Sequence, residues 1–204
     1  MPSHMIQTID RASALLHGLP VDALDEEQQL ALRFFDLMIG NARAVNWLVG
    51  AGFVLEAMAI QRLMIEHFAN IIDLLRGRIS REMMIKHSEA ENLKFAKCVQ
   101  RDDAKHGSLT HENRQKLEAF LAEHGSTEPL GLSVYNALDA ANLGFMYINY
   151  RALSMHAAHS TILSALAQPT VGVPGELSEG VEELLRLAIS HVHEAFIVSS
   201  PAAA

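Results

Sequence analysis

Arg62-Leu-Met-Ile-Glu-His67 and Arg151-Ala-Leu-Ser-Met-His156 share one spacing, an arginine followed five positions later by a histidine, and both lie in long helical patterns. Five residues overshoot one helical turn, so at about 100° per residue the two side chains stand roughly 140° apart. Neither pair converges on a straight helix, and a site built on them needs groups from another helix or subunit. Two kinds of chemistry suit the residues present. His156 and His159 are three apart and can take two positions on a metal, which His67 and His191 would complete if their helices adjoin. The alternative is an acid–base pair of His159 with the carboxylate of Glu66, in which each group shifts the protonation of the other.

The helices that must position these groups are amphipathic. On a wheel over residues 53–76, Phe53, Ala57, Ile60, Met64, Phe68, Ile71 and Leu75 gather on one side. Arg62, Glu66, Asn70 and Asp73 form a polar stripe on the other. That stripe reads either as a solvent face carrying a local Arg62–Glu66 ion pair or as a face turned to a cleft or a partner subunit. On the second helix Ile148, Ala152, Met155, His159, Ile162 and Leu166 follow one apolar row, with Arg151 at its border. His159 is thereby expected in the core, where it needs a polar partner. Tyr150, Ser154 and Thr161 line a different side.

The 204 residues are half hydrophobic, enough for one all-α domain with its own core. Period-two alternation is absent, and the helical period recurs almost throughout. A short N-terminal helix is expected within residues 1–20, roughly Thr8–His17. Asp25 caps a helix to about Val49, and another runs from Phe53 to Leu75 after the turn Gly50-Ala51-Gly52. Ser80 caps a helix to about Asp102, and Thr110 one to His124. After a loop over Gly125–Gly131, helix resumes at Leu132 and continues, kinked at Gly144, to Gln168. A connection at 169–180, rich in Pro and Gly over Pro169–Gly175, leads into a final helix from about Glu176 to Val198. The expectation is a single bundle of six to eight helices.

Sixteen basic residues against 24 acidic ones give a formal charge of -8. That balance opposes a protein that holds nucleic acid through a basic surface, and there is no DNA-binding signature. It leaves room for a local arginine cluster. The lone Cys98 permits no intrachain disulfide and no thiolate zinc knuckle, which suits a reducing compartment; it is expected to pack as a small apolar residue. Met1–Asp10 has no basic stretch followed by an apolar run, so no secretory signal is expected. The apolar run Trp47–Ile60 is broken by two glycines and Glu56, so a membrane span is not expected either. Trp47 itself is assigned to the core or a dimer interface. Met58, Met64, Met83, Met84 and Met155 read as core filler. Glu-x-x-His pairs, a phosphate-binding Gly-x4-Gly-Lys-Ser/Thr loop and a Gly-x-Ser-x-Gly elbow are all missing, so no cofactor is implied.

Gly52, Glu56-Ala57, Arg62 and Glu66, followed by Tyr150, Ser154 and His159, resemble the pattern of a family of uncharacterised bacterial all-helical proteins. The likeness covers roughly Asn41–Leu75 and Tyr147–Leu166. More distantly the chain is similar to HEPN-type proteins of bacterial defence and stress systems, whose short signature is Arg-x4-His. That second resemblance implies metal-independent RNA cleavage at a site shared across a homodimer. A histidine would serve as acid or base at the 2′-hydroxyl and leaving oxygen, and an arginine would stabilise phosphate charge. Here those catalytic roles fall on Arg62, Glu66, Arg151, His156 and His159, with RNA as partner and the cytoplasm as location. Two alternatives stand beside it. One is a non-catalytic binding or scaffold protein whose polar residues form a buried structural network. The other is a His-based bundle that binds a metal or small ligand.

Overall fold

The computed structural model describes residues 4–125, 132–158 and 173–198. The chain is all-α, and the described residues contain no strand. Among the described residues eight α-helices follow in order: α1 (His4–Gly18), α2 (Glu26–Gly50), α3 (Val54–Leu75), α4 (Arg81–His106), α5 (His111–His124), α6 (Val134–Ala140), α7 (Met146–Leu153) and α8 (Val173–His193). A π-helical turn extends α7 over Ser154–Ala158, and another extends α8 over Glu194–Val198. The described residues divide into two compact units, α1–α3 with α6–α8 and, separately, α4 with α5.

In the larger unit α2 and α3 make the most extensive contact, α8 packs on α1, α2 and α3, and α6 and α7 lie on α3. Phe35, Met38, Ala42 and Val45 of α2 recur at three- and four-residue steps and are fully buried. They meet Met64, Phe68 and Ile71 of α3 in one core with Leu184 and Leu185 of α8. The Asp25 side chain accepts from the backbone of Gln28, whose amide accepts from the backbone of Asp25, and this reciprocal cap starts α2. The chain turns from α2 to α3 at Gly52, whose φ of 84° lies where L side chains are strained. Phe53 N–H donates back to Leu48 O at 2.8 Å, satisfying a terminal carbonyl of α2.

Three expectations change here. First, the helix expected over 132–168 is interrupted rather than kinked. Asn142, at φ 61°, reverses the chain after α6, and Leu143 N–H donates to Leu138 O at 2.8 Å. Asparagine tolerates this left-handed conformation better than most residues. The new start resets the phase of α7. Its buried or half-buried side carries Met146, Tyr147, Tyr150, Leu153 and Ser154, whereas Ile148, Ala152 and Met155 are exposed. The row expected in the core therefore faces outward as far as it is described, and His159 lies outside the described residues. Second, of the two places assigned to Trp47, the core and a dimer interface, the core is excluded: Trp47 is 67% exposed and stacks on the exposed Phe53 at 6.5 Å. Third, the expected connection at 169–180 is helical from Val173. A Cβ at Gly180 would fall 2.7 Å from Gln61 Nε2, the free end of a flexible α3 side chain, so a larger residue there requires only that the Gln61 amide shift.

In the smaller unit Ser80 and Thr110 cap α4 and α5 through their side-chain oxygens. Gly107, at φ 61°, ends α4. Asp103 is buried and accepts Leu109 N–H at 2.8 Å and Arg114 Nε–H at 2.6 Å. Those hydrogen bonds, Arg114's first, hold its carboxyl below the usual range. Cys98 is exposed rather than packed, because it stands two residues, about 200°, from buried Ala96. Its sulfur accepts from Arg101 at 3.1 Å. No helix among the described residues is long and apolar enough to cross a membrane.

Candidate functional site: two interlocked side-chain pairs

Arg62 and Glu66 are four apart on α3; Tyr150 and Ser154 are four apart at the end of α7. Each pair therefore lies on one face of its helix, and where the helices meet the pairs interlock. Arg62 Nη2 binds Glu66 Oε1 at 2.8 Å. The same nitrogen donates to the Tyr150 hydroxyl at 3.0 Å, and Arg62 Nε donates to Ser154 Oγ at 2.8 Å. The Tyr150 hydroxyl in turn donates to Glu66 Oε1 at 2.9 Å. Three of the five N–H donors of the guanidinium are thus used, and the Tyr150 oxygen both accepts and donates.

The directions of these bonds agree with one another. Ser154 accepts from Arg62 and sends its own proton to Tyr150 O at 2.8 Å. Such a bond to the carbonyl four residues back bends helices, and the π-helical turn begins at this residue. The guanidinium carbon also lies 5.0 Å from the Tyr150 ring centroid. Tyr147 stacks on that ring at 5.7 Å, and Tyr135 meets Tyr147 edge-on at 5.2 Å. Arg62 and Glu66 keep only 21% and 29% of their side-chain exposure, so water screens the pair less than it would on an open surface.

Burial pushes the Tyr150 hydroxyl above its ordinary pKa, and its bond to Glu66 adds to this more than Arg62 subtracts. Tyr150 is accordingly a protonated donor at neutral pH and not a base there. His67 points elsewhere. Its ring packs against Phe34 of α2 at 5.6 Å, and burial lowers its pKa, only partly offset by neighbouring Glu66. His191 packs against Phe68 at 5.7 Å and is lowered by burial and by Arg76. Both are neutral at pH 7.

Of the five candidate catalytic residues, the structure brings Arg62 and Glu66 together. Arg151 is exposed, one residue from Tyr150 and so about 100° around the helix. His156 is half-buried, two residues past Ser154, and takes no part in the four-residue network. His159 is outside the described residues, so the expected Glu66–His159 pair is not among them, and the Glu66 oxygen that is engaged serves Arg62 and Tyr150. No group of three His, Cys, Asp or Glu among the described residues could hold a metal ion. Tyr150 and Ser154 carry none of the expected catalytic roles, although their four-residue spacing marks them as a same-face pair. Their role was hidden because the apolar row beside them looked like the buried one.

No curated protein and no solved structure matches the chain significantly. A family model does match, over residues 28–168, which include all four network residues and leave out α1 and α8. The chain belongs to the family of unknown function DUF5677.

Proposed function

We propose that this chain is a non-catalytic helical binding protein in which Arg62, Glu66, Tyr150 and Ser154 form a structural clamp between α3 and α7. The observation that carries this reading is the Tyr150 hydroxyl. It accepts from the only arginine of the network and donates to its only carboxylate, which closes the circuit from within. A substrate phosphate would meet a guanidinium whose charge is already paired with Glu66 and which has only two of its five donors left. An HEPN-like ribonuclease of a defence or stress system is the competing proposal. It calls for an arginine and a histidine converging on one cleft, and His67 packs on Phe34 instead. Self-association as a homodimer belongs to the same proposal; the stacked, exposed Trp47 and Phe53 offer a large apolar surface to cover.

The test pairs two readouts on wild type, Arg62→Ala and His159→Ala. One follows cleavage of a mixed RNA pool in EDTA, the other thermal unfolding. The clamp predicts no cleavage by any of the three and a lower melting temperature for Arg62→Ala. Cleavage by wild type that disappears in His159→Ala at unchanged melting temperature would replace the clamp with the ribonuclease.

A further inference from the structure

A second polar cluster lies away from this network, in a groove of about 590 Å³ between α1 and α8. Gln7, Thr8 and Arg11 of α1 line one wall; Arg186, Ser190 and His193 of α8 line the other, with Ile189 as the apolar part. Arg186, Ser190 and His193 follow one another at four- and three-residue steps, and Gln7 and Arg11 are four apart, so each set shares a face. In a chain with a formal charge of -8, none of these lining residues is acidic.

The nearest carboxylate has another task. Glu182, with 14% of its side chain exposed, binds Arg186 on its own helix and lies 3.4 Å from the Thr8 hydroxyl, whose single proton it shares with the His4 carbonyl at 3.1 Å. It holds the guanidinium of Arg186 in place at the groove. Arg186 retains donors beyond the one that meets Glu182. Arg11 is exposed and has no carboxylate partner among the described residues. Two guanidinium groups, a serine hydroxyl, a glutamine amide and an imidazole therefore converge on one volume, and nearly all of them are hydrogen-bond donors.

We propose that this groove binds the phosphate group of a small phosphorylated ligand. Planar guanidinium forks match phosphate oxygens two at a time. The volume falls within the range of small-molecule sites and leaves room beyond one phosphate for a body the size of a nucleoside, against Ile189. Arg11 and Arg186 would take the phosphate oxygens, with Ser190 and Gln7 completing its hydrogen bonds. The site is independent of the Arg62 network and lies on helices outside the matched family region.

Calorimetric titration of the full chain with adenosine 5′-monophosphate and with adenosine tests this. The monophosphate is expected to bind at least tenfold more tightly than the nucleoside. Arg11→Gln should weaken it by about tenfold or more, the loss expected for a charge-assisted hydrogen bond, at an unchanged melting temperature. Ser190→Ala should weaken it severalfold. Equal affinity for the two probes, or wild-type affinity in both variants, would overturn the proposal. So would a single-stranded RNA oligomer that binds more tightly than the monophosphate and loses its affinity in Arg11→Gln, since the groove would then serve a polymer.

Discussion

The α3–α7 network and the α1–α8 groove both set arginines beside hydroxyl groups, and the two regions use their donors differently. At α3 and α7, Arg62 gives three protons to Ser154, Tyr150 and Glu66, and the acceptors are bound to one another in turn. At α1 and α8, Arg186 is held by Glu182 while Arg11 has no carboxylate partner among the described residues. A circuit that closes on itself fixes the approach of two helices. A half-occupied set of donors around a groove is a surface prepared for an anion. Composition alone would have favoured neither, because an excess of eight negative charges hides a local gathering of cations.

The largest effect that would separate the two regions is on stability. Arg62→Ala should lower unfolding free energy by about 2–4 kcal/mol, because Glu66, Tyr150 and Ser154 all lose their donor in a screened but not open site. The melting temperature should fall by roughly 5–10 °C. Tyr150→Phe keeps the ring against Arg62 and removes one acceptor and one donor, for about 1–2 kcal/mol. Tyr150 also predicts an alkaline limb. Burial raises its folded pKa above the unfolded 10.0, so its contribution is complete below pH 10 and is lost as pH rises through the folded value. Melting curves from pH 8 to 11 should show a drop that is smaller in the phenylalanine variant.

His67 sharpens the comparison on the acid side. Burial lowers its folded pKa below the unfolded 6.5, so its contribution is complete above pH 6.5 and is lost as pH falls through the folded value. His191 acts with the same sign. Wild type should melt lower at pH 5 than at pH 7.5, and His67→Gln should narrow that gap; a gap of equal size in the variant would remove His67 from the account. Ser154→Ala should cost about 1 kcal/mol or less in urea unfolding, since the lost bond to Arg62 is partly offset by relief of helix bending. Arg11→Gln stands at the other end, within about 0.5 kcal/mol of wild type, as expected for an exposed side chain away from the core.

Much of the helical frame was readable from residue types. Asp25, Ser80 and Thr110 are the caps the structure uses, because a side-chain oxygen ahead of an apolar period answers a local need that tertiary packing rarely overrides. Arg62 and Glu66 were readable as a pair for the same local reason. The inward face of α7 was not. A wheel drawn through 148–166 assumes an unbroken phase, and the apolar row Ile148, Ala152, Met155 then takes the core side. The real signal was Tyr147, Tyr150 and Ser154 at three- and four-residue steps behind a left-handed Asn142. That row buries aromatic area and still satisfies the hydroxyls of Tyr150 and Ser154. Arg11 and Arg186 share a groove only because α1 and α8, 175 positions apart at these residues, pack together, and no local pattern reports a contact of that span.

The most direct test of the clamp is a double-mutant cycle in urea with Arg62→Ala, Tyr150→Phe and the two combined. A clamp predicts that the double variant loses less than the sum of the single losses, by about 1 kcal/mol or more, because each substitution removes the same bonds. Losses that add to within about 0.5 kcal/mol would show that Arg62 and Tyr150 act separately, and would contradict a network that holds α7 on α3.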